Sequence, residues 1–343
     1  MGKGGEISRL GLLIAGGGAK VRRLVAECPS AGLGDRLEGV LPKPLLKTAK
    51  QAEEGTVPRL LERIGRAGWR WVESAAPEYP SILNQTADPP LGLFIKGRLS
   101  VGPSIAIVGS RRATTYGIQA SRFLAESVGR AGGIIISGMA RGVDAAAHEG
   151  AISVGAKTWA VWGCGPDRIY PPEHARLAEQ ISQSGALMTE YLPGSPPRRH
   201  HFPERNRIVA GLASIVVVVE AAARSGALST ARQALDEGRD VMAVPGSIFS
   251  EVSVGPNGLL RAGAQPVTCA GDLLEALGLD PDAGRSREVD FEGLDLGRGE
   301  ALTIEQFAQR LGETMAEAQS KIVQLEIEGI IDRGVDGLIR RRK

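Results

Sequence analysis

The sequence predicts an α/β protein centred on a parallel sheet covered on both faces by helices. Three observations carry this. Short apolar runs recur through the middle of the chain: IAIVG (105–109), GIIISG (133–138), TWAVWGCG (158–165), ALMTE (186–190), SIVVVVEA (214–221) and DVMAVPG (240–246). Stretches with helical spacing lie between successive runs, 117–131 and 225–237 among them. Strands alternating with helices imply parallel pairing, because a parallel crossover needs a helix-length connection. The third observation is how the runs end: Gly109-Ser110-Arg111, Ser137-Gly138, Gly163-Cys164-Gly165, Glu190, Glu220 and Pro245-Gly246. In open α/β sheets ligands bind outside the carboxyl ends of the strands, so small and polar residues mark that edge as the site.

Taken in order, residues 1–70 alternate amphipathic patches with Gly and Pro. LLIAGGGAKVRRLV (12–25) reads as helix, glycine hairpin, helix. It is not a phosphate loop, which requires Gly-Lys-Ser/Thr: here Ala19 precedes Lys20 and Val21 follows it. A small helical domain over 1–70 is predicted, of the SAM or helix-hairpin-helix kind. Its glycine hairpin is a structural turn first and a backbone contact for DNA phosphates second. Residues 77–103 are Pro-rich and read as irregular. The sheet domain occupies 71–280, and the polar, patternless stretch over 281–298 reads as a linker. In the last unit, 299–343, Thr303 with Gln306 and Thr314 with Glu317 each fit a capping box. They open two short helices, and GIIDRGVDGLIRRR reads as a β-hairpin after them. Helix-turn-helix plus hairpin is a winged-helix pattern.

Composition bounds the function. A chain of 343 residues has room for two or three domains, and 43% hydrophobic with 23% charged residues describes an ordinary globular protein. A net charge of +2 excludes a histone-like basic binder, so any nucleic-acid site must be a local patch. The three cysteines, Cys28, Cys164 and Cys269, lie far apart without a Cys-x-x-Cys, which argues against disulfides and structural zinc. Four histidines leave little for metal chemistry. The N-terminus lacks a signal-peptide pattern, and the longest apolar run, 215–219, is too short to span a bilayer. A cytoplasmic protein without metal or cofactor is expected.

The motifs then suggest a ligand. VGSRRATTYG (108–117) follows a strand and opens a helix, whose N-terminal N–H groups and dipole suit a phosphate. Ser110 adds a hydroxyl, and Arg111 and Arg112 add charge. In SGMARGVDAAAH (137–148), Gly138 and Gly142 let backbone approach a ligand and Arg141 can reach a phosphate. Asp144 and His148 stand four apart on one helix face and can bond each other, which favours a bracing role over a general base. EAAARSGALST (220–230) supplies more turns, and its Ser225 and Ser229 suit a helix cap or a phosphate. Without Gly-x-Ser-x-Gly anywhere, a nucleophilic serine is not indicated. The densest feature is RRHHFPERNRIVAGLA (198–213), where Phe202 stands among Arg198, Arg199, Arg205 and Arg207. Arginines bind phosphates as charged forks, and a ring flanked by cations can stack an unpaired base. The residues allow a second reading with equal weight: Phe202 fills the core and Arg205 or Arg207 pairs with Glu190, Glu204 or Glu220.

Together these motifs resemble the DprA/Smf family, the bacterial DNA-processing proteins of natural transformation. YPSIL, DPPLGLFIKG, AIVGSRRATTYG, SGMARGVDAAAH, GCGPDRIYPPEH, FPERNRIVAGL, VVVEA, SGAL and AVPG occur in the family's order over roughly 77–278. The resemblance implies an extended Rossmann-like, doubly wound, mostly parallel sheet that binds single-stranded DNA without hydrolysing it. It also implies a homodimer that loads the RecA recombinase onto incoming strands and shields them from nucleases. By motif position it assigns DNA contacts to Ser110, Arg111, Gly138, Arg141, Arg199, Phe202, Arg205, Asn206 and Arg207. Two departures stand out at the C-terminus. DGLIRRRK lacks the aromatic often found in the wing, and the second helix carries Glu317, Glu326 and Glu328 against Lys321 alone. An acidic helix suits a DNA groove poorly, so no DNA contact is assigned there. The competing class is an enzyme, a phosphoribohydrolase of the related lonely-guy kind. Its PGGxGT and following Glu have no counterpart at EAAARSGALST.

Overall fold

The computed structural model describes residues 7–26, 28, 32–280, 301–327, 331–334 and 337–341. They fall into two compact units, Met1–Gly284 and Arg285–Lys343; the 281–298 stretch lies outside the described residues.

The first unit opens with helices α1 (Arg9–Ile14), α2 (Ala19–Ala26), α3 (Leu33–Leu37), α4 (Lys43–Gln51) and α5 (Val57–Arg66). Glycines 16–18 separate α1 from α2, the hairpin that the sequence suggests. Then come β1 (Trp69–Glu73), α6 (Ser81–Asn84), β2 (Gly92–Gly97), β3 (Ser104–Val108), α7 (Thr115–Arg130), β4 (Ile134–Ser137) and α8 (Val143–Ser153). The unit continues through β5 (Thr158–Val161), α9 (Ala175–Ser184), β6 (Ala186–Thr189), α10 (His201–Leu212) and β7 (Ile215–Val218). It closes with α11 (Gly226–Asp236), β8 (Asp240–Ala243), α12 (Val254–Arg261), β9 (Gln265–Pro266) and α13 (Ala270–Ala276).

The nine strands form one sheet in the order β1-β2-β6-β5-β4-β3-β7-β8-β9. β6 through β9 pair in parallel, whereas β1 with β2 and β2 with β6 pair antiparallel. β3, β4, β5, β6 and β7 are buried along their whole length on both faces, which is why they read as continuous apolar runs. Side chains alternate between two layers. Ala106, Val108, Ile136, Val216 and Val218 pack with Ile208, Val209 and Ala231 of α10 and α11. Ile105, Ile107, Ile135, Ile215 and Val217 pack with Leu124, Val128, Val143 and Ala147 of α7 and α8. This is the doubly wound α/β architecture expected. The irregular reading of 77–103 is corrected by β2: Leu93, Phe94 and Ile95 are fully buried and extend the sheet through antiparallel pairing. Flanking prolines and glycines obscure so short a run.

The second unit contains β10 (Ala301–Leu302), α14 (Ile304–Leu311), α15 (Met315–Ile327), β11 (Ile331–Arg333) and β12 (Ile339–Arg341). Both capping boxes form: Thr303 exchanges hydrogen bonds with Gln306, and Thr314 with Glu317. β11 and β12 pair as the expected hairpin, and β10 joins them to make three antiparallel strands.

Candidate functional site

Strand order reverses at β3. The chain runs from β3 outward through β4, β5 and β6, then returns to place β7 on the opposite flank of β3. A doubly wound sheet opens a crevice at such a reversal, outside the carboxyl ends of the two strands. Here it is a cleft of roughly 630 Å³. Gly109 to Arg112 after β3, Gly138 and Ala140 after β4, and Ala222 with Ser225, Gly226 and Ala227 after β7 contribute to its lining. Arg199, Phe202, Arg205 and Asn206, on α10 and the approach to it, complete the wall.

Arg205 builds that wall rather than reaching out of it. Its side chain is buried, and its Nη1 donates to the carbonyls of Gly138 (2.8 Å) and Val161. A side chain at position 138 would strike the Arg205 guanidinium. Gly138 is therefore glycine to admit an arginine, not to let a ligand approach. Burial holds the Arg205 guanidinium below its ordinary pKa, and the nearby Asp144 opposes this. Burial likewise raises the Asp144 carboxyl. Asp144 accepts the N–H groups of Gly138 (3.1 Å) and Ala140 (3.3 Å), which ties down the loop between β4 and α8. Gly142, at φ +76°, presses this loop against the Ser110 carbonyl, where no side chain fits. Met139 sits beside it at φ +55°, a conformation that packing must enforce on a non-glycine residue.

Asp144 and His148 do not bond each other. Thr158 donates its hydroxyl to the Ile135 carbonyl (2.9 Å), so it accepts from His148 Nδ1–H at 2.6 Å. His148 Nε2 is buried without a partner, and burial depresses the imidazole to about 3. A neutral histidine sealed in the core cannot act as a general base on a ligand.

The N-terminus of α7 is also occupied. Thr114 caps it by accepting from Gly117 N–H (3.2 Å). The buried Glu220 carboxylate accepts from Thr114 N–H (2.9 Å) and from its hydroxyl (2.5 Å). Gly117 leaves room for that carboxylate. The expected phosphate seat on the helix dipole is thus filled by a side chain from β7's end. Any anion must instead meet the loop ahead of the helix, where Ser110 Oγ accepts from Arg112 N–H (3.1 Å).

Three cations remain available. Arg111, Arg112 and Arg199 are exposed on the cleft, and none forms an ion pair among the described residues. The Arg111 guanidinium lies 4.9 Å from the centroid of the Phe202 ring. Phe202 is half-buried: it leans on Tyr170 (centroids 5.4 Å apart) and on the backbone at Gly163, with its remaining surface toward the cleft. It is neither a core residue nor a free-standing ring. A base could stack on it once Arg111 swings outward, a displacement that a phosphate would favour. Asn206 lines the cleft and bridges the Arg205 Nε and the Gly226 carbonyl.

Two expected contacts lie elsewhere. Arg141 is exposed outside the cleft lining and pairs with Glu173, whose hydrogen bond raises the guanidinium pKa. Arg207 faces away from the cleft, paired with Glu190 and with Asp88 (3.3 Å). Arg22 of α2 binds the same two carboxylates, Asp88 at 2.6 Å and Glu190 at 3.8 Å. Burial would raise the Asp88 carboxyl, but the Arg22 hydrogen bond and Arg207 outweigh it and hold the group below its usual range. This cluster fastens the N-terminal helices to α10 and the sheet. Sequence reasoning missed Tyr170 as the support of Phe202 and Glu220 as the occupant of the α7 N-terminus. Neither residue carries a local signal, since both partners are distant in sequence.

An open-sheet crevice with three exposed arginines, free of ion pairs among the described residues, and a supported aromatic ring defines a Rossmann-like protein with a cationic switch-point cleft. The chain belongs to the DNA recombination-mediator protein A family, whose model matches residues 70–278. It is 39% identical over 282 residues to the Smf protein of Escherichia coli, covering 77% of this chain and 75% of that one. The X-ray structure of DNA processing protein A from Streptococcus pneumoniae superimposes with a TM-score of 0.69 at 32% identity, covering 79% of this chain and 98% of that one. A structure describing the single-stranded DNA binding mode of the Helicobacter pylori protein matches with a TM-score of 0.56 at 30% identity, covering 61% and 95%. Among the described residues no helix is long and apolar enough to cross a membrane.

Proposed function

We propose that the chain binds single-stranded DNA at the switch-point cleft and acts as a recombination mediator, loading a RecA-type recombinase onto the strand and shielding it from nucleases, without hydrolysing it. The observation that carries this reading is the pairing of Phe202 with unpaired Arg111, Arg112 and Arg199 on one cleft. Exposed cations lining one groove can track a phosphate backbone, and a ring can stack only an unpaired base. The relatives support the same ligand class, since the Helicobacter pylori structure is described by its single-stranded DNA binding mode. The non-catalytic part of the reading is supported by His148 and Asp144. Asp144 lines the cleft but is committed to the N–H groups of Gly138 and Ala140, and His148 is sealed in the core against Thr158. Action as a homodimer in the cytoplasm belongs to the same proposal.

The test compares a dT oligomer, a duplex and a nucleoside monophosphate in one binding assay, with each ligand recovered and checked for cleavage. The reading expects preference for the single strand and no turnover. Glycosidic cleavage of the monophosphate would favour the phosphoribohydrolase instead. Addition of a RecA-type recombinase with limiting single strand should shorten the lag of its filament assembly, and an unchanged lag would remove the loading function.

A further inference from the structure

The same sheet edge carries apolar surface that folding does not use. Ile248 and Phe249, in the turn after β8, are 83% and 93% exposed. The turn is nevertheless fixed. Ser247 Oγ accepts from Phe249 N–H (3.2 Å), and Asn257 brackets Gly246 by accepting from its N–H (3.2 Å) and donating to its carbonyl (3.0 Å). The base of the turn is bonded to the cleft wall: Ala221 N–H donates to the Val252 carbonyl (2.6 Å), and the adjacent Ala222 lines the cleft. On the other side Tyr116, itself 51% exposed, donates its hydroxyl to the Pro245 carbonyl at 3.1 Å. Tyr116 stands in the first turn of α7, just beyond the loop that carries Arg111 and Arg112.

These residues mark a path. Phe202 rests on Gly163 beyond β5, and Phe249 lies beyond β8. The sheet order β5-β4-β3-β7-β8 separates them by strand steps of ~4.8 Å each, roughly 19 Å in all. A single strand covers that distance in at most about six nucleotides at a stacked rise of ~3.4 Å. Arg111 and Arg112, unpaired on the cleft rim, lie between the two rings along the sheet edge.

We propose that Phe249, flanked by Ile248 and Tyr116, is a second stacking platform for the same DNA strand, taking bases that leave the cleft past Arg112. This rests on the single-strand reading of the cleft. Stacking needs an open aromatic face within reach of a charged track: Phe249 supplies the face, and the Tyr116–Pro245 hydrogen bond ties its turn to the helix that follows the Arg111–Arg112 loop. Its exposure also makes it separable from folding, because its substitution removes almost no packing.

The experiment is a dT length series against wild type, Phe249→Ala, Phe249→Leu, Phe249→Trp and Phe202→Ala, with thermal melts and sedimentation of each protein alone. With oligomers of about twelve nucleotides Phe249→Ala and Phe249→Leu should bind about five- to tenfold more weakly, at the lower end of base–aromatic stacking. Phe249→Trp should match wild type. With dT of about four nucleotides Phe249→Ala should equal wild type, whereas Phe202→Ala should be weaker at both lengths. Full affinity of Phe249→Ala at every length would overturn the proposal. Full affinity of Phe249→Leu would do the same by reducing the contact to apolar packing. A Phe249→Ala protein that changes its sedimentation but not its DNA affinity would reassign the patch to a protein partner. Failure of wild type to bind dT of any length would strike the cleft reading itself.

Discussion

Replacing Arg205 with methionine should damage the fold before it damages binding. The side chain is 4% exposed and donates to the carbonyls of Gly138 and Val161, the second bond fully buried. Hydrogen bonds from charged groups contribute about 1.5–3 kcal/mol each. The substitution also strips the buried Asp144 of the positive charge beside it. Removing one member of a buried charged set typically costs about 3–5 kcal/mol, and methionine retains much of the packing, so a loss of about 3–4 kcal/mol is expected. At an m-value of about 3 kcal/mol/M the urea midpoint should fall by about 1 M. Arg205→Lys should recover only part of this, because an ammonium can replace Nη1 at the two carbonyls but not the Nε that donates to Asn206 Oδ1 (3.3 Å) at the same time. A methionine variant that melts with wild type yet fails to bind dT would refute the reasoning and return Arg205 to the ligand.

Arg111→Ala and Arg199→Ala should leave melting unchanged and weaken dT binding, and each should make the slope of log K against log salt shallower by about 0.7. Phe202→Ala should cost about 1–3 kcal/mol of binding but only about 1–2 kcal/mol of stability, since the ring is half-buried; calorimetric melts and dT titrations on one preparation separate the two. Arg207→Ala should destabilise by leaving Glu190 and Asp88 short of a partner, with dT affinity per folded molecule unchanged, as checked by melts and titration. His148 should make stability fall with acidity. The unfolded imidazole takes a proton below about 6.5, whereas the folded one stays neutral to about 3. Its contribution is therefore intact above 6.5 and lost progressively as pH falls through that window, by about 2 kcal/mol between pH 7 and 5. Urea melts of wild type and His148→Gln at both pH values should show a shallower dependence in the variant.

The sheet was legible where burial is two-sided. β3 to β8 announce themselves because parallel strands covered on both faces need no polar alternation. β2 did not, because Gly92 and Gly97 bracket only four other residues behind a Pro-Pro step. The arginines of the site were legible as a set but not one by one. Arg205 and Arg207 stand two apart on α10, which turns their side chains to different sides of the helix. One enters the wall and the other meets Glu190. Arg141 finds Glu173, thirty-two positions along, an encounter only the fold creates. Gly138 was readable as a place of close approach; that the approaching group is Arg205 and not a ligand depends on how α10 crosses the sheet. The α7 N-terminus has an anion site by any sequence rule, but Glu220 already fills it.

The central claim is that the switch-point cleft holds single-stranded DNA through Arg111, Arg199 and Phe202. Its most direct test is fluorescence anisotropy of a labelled dT oligomer titrated with wild type and with the Arg111→Ala/Arg199→Ala double variant across a salt series. The account predicts tight, salt-sensitive binding that an unlabelled duplex of equal length competes for poorly, and a double variant that is still folded but weaker at every salt, with a slope shallower by about 1.4. Binding that is unaffected in the folded double variant, or that duplex displaces as well as single strand, would contradict it.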